Sequence, residues 1–247
     1  MAIKFSNSFL MRKLHQVTGI VPLGIFFLFH IYTNSAALNG AKVFNDHVED
    51  LHEMPYLLLV EIFGVFIPLM FHAVYGMLIS SEAKVNVFNY RFARNWFYVL
   101  QRISGVYLFF FLLFHILNFR FGLIPGLNMT PVAGNAQQAY AIIAKEFAIW
   151  WVLVLYILGL LATAWHLAYG VFLFAVDWGI VIGVKAQKIL LYGCLGFGLI
   201  LAFVGINSAF AFKRPCGFMP AELCQDSAER SPAEKAPTPR MPVQKGP

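Results

Sequence analysis

Charge is what this sequence has least of. Asp, Glu, Lys and Arg make up 12% of its 247 residues, where a soluble domain carries about a quarter. Hydrophobic residues reach 60% and aromatics 17%. One water-soluble core cannot hide that much apolar surface, so lipid replaces water around most of it and a soluble enzyme is excluded. Cysteine is scarce as well. The three present, Cys194, Cys216 and Cys224, are too few for the four thiolates of an iron–sulfur cluster, and no C-x-x-C-H offers covalent haem attachment. No G-x-G-x-x-G follows a strand, so a flavin or nicotinamide fold is not indicated. The N-terminus lacks a short apolar core followed by a small-residue cleavage site, and the first apolar run is expected to act as an uncleaved insertion signal.

What is present in abundance is long apolar runs. A bilayer core takes about 20 residues per helix, and five segments qualify, at about 15–38, 56–80, 97–119, 147–175 and 187–212. The expected fold is an all-α integral membrane bundle of five transmembrane helices, occupying residues 1–212. Belt aromatics such as Tyr56, Trp96, Trp150, Trp151 and Trp178 bound the spans. Pro22 and Pro68 fall inside helices and are expected to kink them. Gly193, Gly196 and Gly198 lie in the fifth span, where small residues serve close helix packing, and Cys194 is read as a packing residue of the same helix. Residues 213–247 hold seven of the twelve prolines and read as a disordered tail. Cys216 and Cys224 lie in it, bridged or as free thiols.

The net charge of +6 does not imply a nucleic-acid partner, because in a membrane protein cations mark cytoplasmic loops. Lys4, Arg12, Lys13, Lys84, Arg91, Arg94, Arg102, Lys185 and Lys188 fall on one side; Lys42, Arg120 and Lys145 fall on the other, beside Asp46, Glu49, Asp50 and Glu53. That places the N-terminus in the cytoplasm and the C-terminus outside.

Four of the seven histidines, His30, His72, His115 and His166, lie well inside the first four spans, one per span. Ionisable groups at that depth are costly and mark function. One such residue could simply bond a neighbouring helix; four in this pattern do not fit that reading. Helices one and three run outward with His30 and His115 towards their outer ends. Helices two and four run inward with His72 and His166 in their inner halves. At 1.5 Å per residue the two levels differ by about 10–15 Å. Two imidazoles at each of two levels is the arrangement that two bis-histidine b haems need, with His30 and His115 for an outer haem and His72 and His166 for an inner one. Four histidines at one level would indicate a metal cluster, and a proton relay would need acids interleaved. A non-redox transporter or receptor would leave the pairing without a reason.

An internal repeat agrees. His72-Ala-Val-Tyr75-Gly76 is echoed by His166-Leu-Ala-Tyr169-Gly170, and Thr18-Gly19 by Ser104-Gly105, as in two parallel halves. Gly19 and Ser104 each precede a histidine by eleven residues, about three turns, and are expected to leave room for the inner macrocycle, with Gly76 and Gly170 clearing its edge. Arg12, His15 and Arg102 sit at the inner ends of helices one and three, suited either to haem propionates or to lipid-headgroup anchoring.

The runs from Arg12 to Gly24, from Glu61 through Pro68 to Gly76, and from Arg94 to Gly105 resemble the dihaem cytochrome b subunit of succinate dehydrogenase/fumarate reductase, in its single-anchor, five-helix form. The resemblance covers about residues 9–212, and His30, His72, His115 and His166 fall on that family's ligand positions. It implies two haem b groups, a flavoprotein and an iron–sulfur subunit on the cytoplasmic face of the inner membrane, and exchange of electrons with a quinone, menaquinone being the one expected, with dicarboxylate chemistry left to the flavoprotein. A dihaem cytochrome b of a hydrogenase or formate dehydrogenase is the alternative. Reducing a quinone consumes two protons, so Glu61, about a turn and a half into helix two, is a candidate proton donor; pairing helix two with a neighbour is its second reading. Asp46, His47, Asp50 and His52 lie in the outer loop, as solvated groups or as lining of a proton route.

Overall fold

The computed structural model describes residues 9–127 and 130–214, and these are mostly helical, with no strand among them. The tail from residue 215 onward, including Cys216 and Cys224, and Lys4 lie outside the described residues. Five helical spans are long and apolar enough to cross a membrane: Phe9–Asn39, Leu57–Ser81, Ala93–Arg120, Trp150–Asp177 and Val184–Ala211. The fourth is the axis of the bundle, packed on the third and fifth and buried over a third of its most apolar window. Its buried face repeats at helical spacing through Tyr156, Gly159, Ala164, Ala168 and Phe172. Large side chains such as Phe63, Phe110, Leu199 and Phe203 point outward, as a lipid-facing surface requires.

The fourth and fifth spans meet closely because Gly198 has no side chain. A Cβ there would stand 2.9 Å from that of Ala168 and 3.3 Å from the Ala164 carbonyl oxygen. Gly193 and Gly196 have no neighbour within 4 Å of such an atom, so of the three glycines only Gly198 serves packing here: it alone is on the face turned to the fourth span. Cys194 is buried beside Tyr169 and Phe172.

Both prolines interrupt their helices. The α-helix Phe9–Ile20 gives way to Pro22–Ser35 through a turn at Val21, since Pro22 has no N–H to give the turn before it. Ahead of Pro68 the second span widens into a π-helical stretch, Val60–Phe66, before resuming as Ile67–Ser81. The third span also ends in a π-helical turn, Ile116–Arg120. Such widened turns relieve a broken ladder and occur often at functional sites.

Two short helices go beyond what the apolar runs predict. Ala41–His52 and Ala139–Phe147 lie between spans and cover one end of the bundle, called the capped end here. Phe44 and Phe147 plug it against Phe212, at ring-centroid distances of 5.0 Å and 5.7 Å. Tyr140 donates a hydrogen bond to the Ala211 carbonyl at 2.7 Å and Asn45 one to the Gln137 carbonyl at 2.7 Å. Phe147 belongs to this cap, so the fourth span starts at Trp150 rather than 147, after an extended Ile149. At the opposite, N-terminal end, Gln16 links the first span to the end of the fourth through the Asp177 carboxylate at 2.5 Å and the Trp178 indole N–H at 3.0 Å.

Candidate functional site

The four mid-span histidines meet in two pairs. The rings of His30 and His115 lie towards the capped end, with centroids 5.8 Å apart and planes at 83°. The rings of His72 and His166 lie towards the N-terminal end, 6.3 Å apart at 87°. Metal–imidazole bonds of about 2 Å to each side put opposed ring centroids about 6 Å apart, so both separations suit a single metal held between two rings. Among the described residues no group of three or more His, Cys, Asp or Glu side chains could hold a metal ion.

The ring nitrogens are already sorted for it. His72 Nδ1 lies 2.9 Å from the His15 carbonyl oxygen, which can only accept, so Nδ1 carries the proton. Ser104 donates its hydroxyl proton to the Gln101 carbonyl at 3.0 Å, leaving its oxygen to accept from His166 Nδ1 at 3.1 Å. His115 Nδ1 is 3.1 Å from the Tyr156 hydroxyl. In all three Nδ1 is engaged, and for His72 and His166 it carries the proton, so their Nε2 atoms keep a lone pair for a metal, the tautomer control seen around ligating histidines.

Small residues make this possible in a way that spacing alone does not reveal. A Cβ on Gly19 would stand 2.4 Å from His72 Cε1, and one on Gly105 would stand 3.0 Å from His166 Cε1. Each half therefore contributes a glycine on its first helix against which the ligand of its second helix lies: Gly19 of the first span receives His72, and Gly105 of the third receives His166. Ser104, grouped with Gly19 by spacing, also accepts a hydrogen bond from His166. Gly76 admits the His15 ring, 3.1 Å from its would-be Cβ, and Gly170 faces Gln101 at 3.7 Å.

His15 stacks on His72, with centroids 4.0 Å apart and planes 11° from parallel. It thus backs a candidate ligand. Its Nδ1 is buried without a hydrogen bond, as are Arg102 Nε, Gln101 Oε1 and Trp165 Nε1. Buried polar atoms of this kind call for a partner; of these residues, His15 stacks on His72 and Gln101 donates to the His166 carbonyl at 3.1 Å. The Arg102 guanidinium covers the Tyr98 ring at 3.3 Å, and exposed Arg12 is near enough for the two cations to repel. That is a setting for anionic groups such as propionates, which the donor set therefore fits.

Towards the capped end the polar groups differ. Glu61, in the π-helical part of the second span, accepts from Arg120 at 2.8 Å; both are partly exposed. A cleft of about 230 Å³ beside the His30 helix is lined by Phe29, Tyr32, His47, Asp50 and Met54, and His47 lies against Tyr32 at 5.9 Å. Asp46 is instead held by Lys42 at 2.7 Å on the surface. Sequence reasoning misses Tyr156, Asn118, Glu146, Gln101 and Gly105. The repeat could expose Gly105, since it matches Gly19. Nothing in the local pattern marks the remaining four.

The fold and this geometry define an integral membrane protein of five spans with two opposed imidazole pairs between the first four. Residues 83–205 match the profile of the family described as succinate dehydrogenase/fumarate reductase transmembrane subunit. The chain is also 34% identical over 207 residues to the succinate dehydrogenase cytochrome b558 subunit of Bacillus subtilis (strain 168), covering 84% of this chain and 98% of that one. The chain belongs to the family of succinate dehydrogenase/fumarate reductase membrane anchors.

Proposed function

We propose that this chain is the dihaem cytochrome b anchor that links an iron–sulfur subunit to membrane quinone, with menaquinone as the expected species. A bound b haem supplies a one-electron Fe(III)/Fe(II) couple. His30 and His115 hold one at the outer level, and His72 and His166 one at the inner level. The observation that carries this reading is the pair of imidazole separations, 5.8 Å and 6.3 Å, in the middle of apolar spans. The relative's name, a cytochrome b subunit of succinate dehydrogenase, supports it.

The flavoprotein and iron–sulfur partners dock at the N-terminal end of the bundle, where Lys84, Arg91, Arg94, Lys185 and Lys188 cluster. By the positive-inside rule that end is cytoplasmic and the capped end faces outside, with the chain in the inner membrane. Quinone then reacts near the capped end. The cleft of Phe29, Tyr32, His47 and Asp50 supplies an apolar wall with titratable groups at its rim, and Glu61 supplies a carboxylate beside the lipid. Arg12, His15 and Arg102 serve the propionates of the inner haem, and Gly19 and Ser104 keep its two ligands seated and oriented.

The test is a dithionite-reduced minus oxidised spectrum of the purified chain with haem quantified per protein, for wild type and His72→Ala. Two b haems per chain are expected, with the variant losing the inner one. A colourless, stably folded protein would overturn the reading.

A further inference from the structure

The two histidine pairs do not end alike. At the N-terminal end the Nδ1 atoms rest on a backbone carbonyl and a serine hydroxyl, both neutral and local. At the capped end His115 Nδ1 rests on the Tyr156 phenol at 3.1 Å, and that phenol faces Asn118 and Glu146. Asn118 is 0% and Glu146 1% exposed, and the Asn118 amide donates to the Glu146 carboxylate. Among the buried polar residues described, Glu146 is the one with an ionisable carboxyl. Its helix, Ala139–Phe147, sits in the cap and Asn118 in the π-helical end of the third span, so loop, third span and fourth span converge on one histidine.

Building a carboxyl group into so enclosed a place costs stability unless it is used. With Nε2 reserved for the metal, His115 must donate through Nδ1–H, and the Tyr156 oxygen accepts. Beyond the phenol lies the Glu146 carboxylate, whose negative charge strengthens the phenol oxygen as an acceptor, so that His115, Tyr156 and Glu146 act as one chain. A histidine donating into such a chain becomes a more basic ligand, which favours the ferric over the ferrous state. We propose that Tyr156, backed by Asn118 and Glu146, is a positioning and tuning residue that fixes the tautomer of His115 and lowers the reduction potential of the outer haem relative to the inner one. The inference rests on the dihaem reading above. It gives a direction to the drop in potential between the two levels, which the four ligands, being identical, do not provide.

The experiment is an equilibrium redox titration of the assembled complex, followed in the b-haem absorption bands, for wild type, Tyr156→Phe and Glu146→Gln. Tyr156→Phe is expected to shift the outer haem's reduction equilibrium about tenfold towards the reduced form, about 59 mV for one electron, leaving the inner haem in place. Glu146→Gln is expected to move the same haem in the same direction by less, and the double variant to exceed Tyr156→Phe little, because the carboxylate acts through the phenol. Both haems present with neither potential moved, or both moved equally, would overturn the proposal while leaving the dihaem reading intact. Should Tyr156→Phe shed the outer haem, Glu146→Gln, which keeps the hydroxyl, decides alone by the same criterion. A wild-type complex without two histidine-ligated haems sinks the parent reading instead.

Discussion

At the residue scale, the cost of one methyl group separates two glycines that look equivalent in the repeat. A Cβ on Gly19 falls 2.4 Å from His72 Cε1, and one on Gly105 falls 3.0 Å from His166 Cε1. The first is an overlap with a ring that is also stacked on His15; the second needs a few tenths of an ångström. Overpacking of this kind costs about 1–3 kcal/mol, drawn from the ligand's placement rather than from the fold. Gly19→Ala is therefore expected to lose the inner haem and keep the outer one, while Gly105→Ala keeps both with a perturbed inner spectrum. Haem per chain, measured by pyridine haemochrome on protein of matched helicity, distinguishes them; equal losses in the two variants would contradict the geometry. None of this is legible from spacing. The period of a helix says which residues share a face but not which neighbour that face meets. Spacing points to Gly19 as room for a macrocycle and to His15 as a propionate partner, but it does not reveal that Gly19 lies against the His72 ring or that His15 stacks on that ring.

At the element scale, the widened turns at the capped ends of the second and third spans are joined by Glu61 and Arg120 at 2.8 Å. An ion pair at that place can serve as a strut between helices or hold a proton donor for quinone. If Glu61 delivers protons to quinone, Glu61→Gln lowers quinone-linked turnover by about 10²–10⁴-fold with both haems retained, while Arg120→Gln lowers it far less. Equal, small losses in both variants would reduce the pair to a strut between helices. The five spans themselves are readable, because an uncharged apolar run of about 20 residues is the length a bilayer demands and exceeds what a soluble core helix needs. The cap is not. Ala41–His52 carries Lys42, Asp46, Glu49 and Asp50, and its buried Phe44 and Val48 gain meaning only once Phe212 and the helix Ala139–Phe147 arrive from far along the chain. For the same reason Glu146 looks like an ordinary loop acid. Its burial is a property of the assembled cap, and no window of sequence around it records that.

At the scale of the whole molecule the two ends are chemically unlike, and the functional reading depends on which end faces the cytoplasm. The N-terminal end is rich in cations and in exposed apolar side chains such as Phe88, Phe92, Ile182 and Val184, as a docking face for soluble subunits needs; the opposite end is closed by its own helices. On the proposed reading the cation count puts the first of these inside, and the side on which quinone takes up protons follows from it. Single-cysteine variants on a cysteine-free background settle the matter, with Lys84→Cys reporting the N-terminal end and Lys42→Cys, whose parent lysine is 87% exposed, reporting the capped end. In intact cells stripped of any outer barrier, a membrane-impermeant maleimide is expected to label Lys42→Cys at once and Lys84→Cys only after the membrane is opened. The reverse order would put the capped end, with Glu61 and the His47–Asp50 cleft, on the cytoplasmic side. The iron–sulfur subunit would then have to dock on the closed end, beside the His30–His115 pair, and the order of the two haems along the electron path would be inverted.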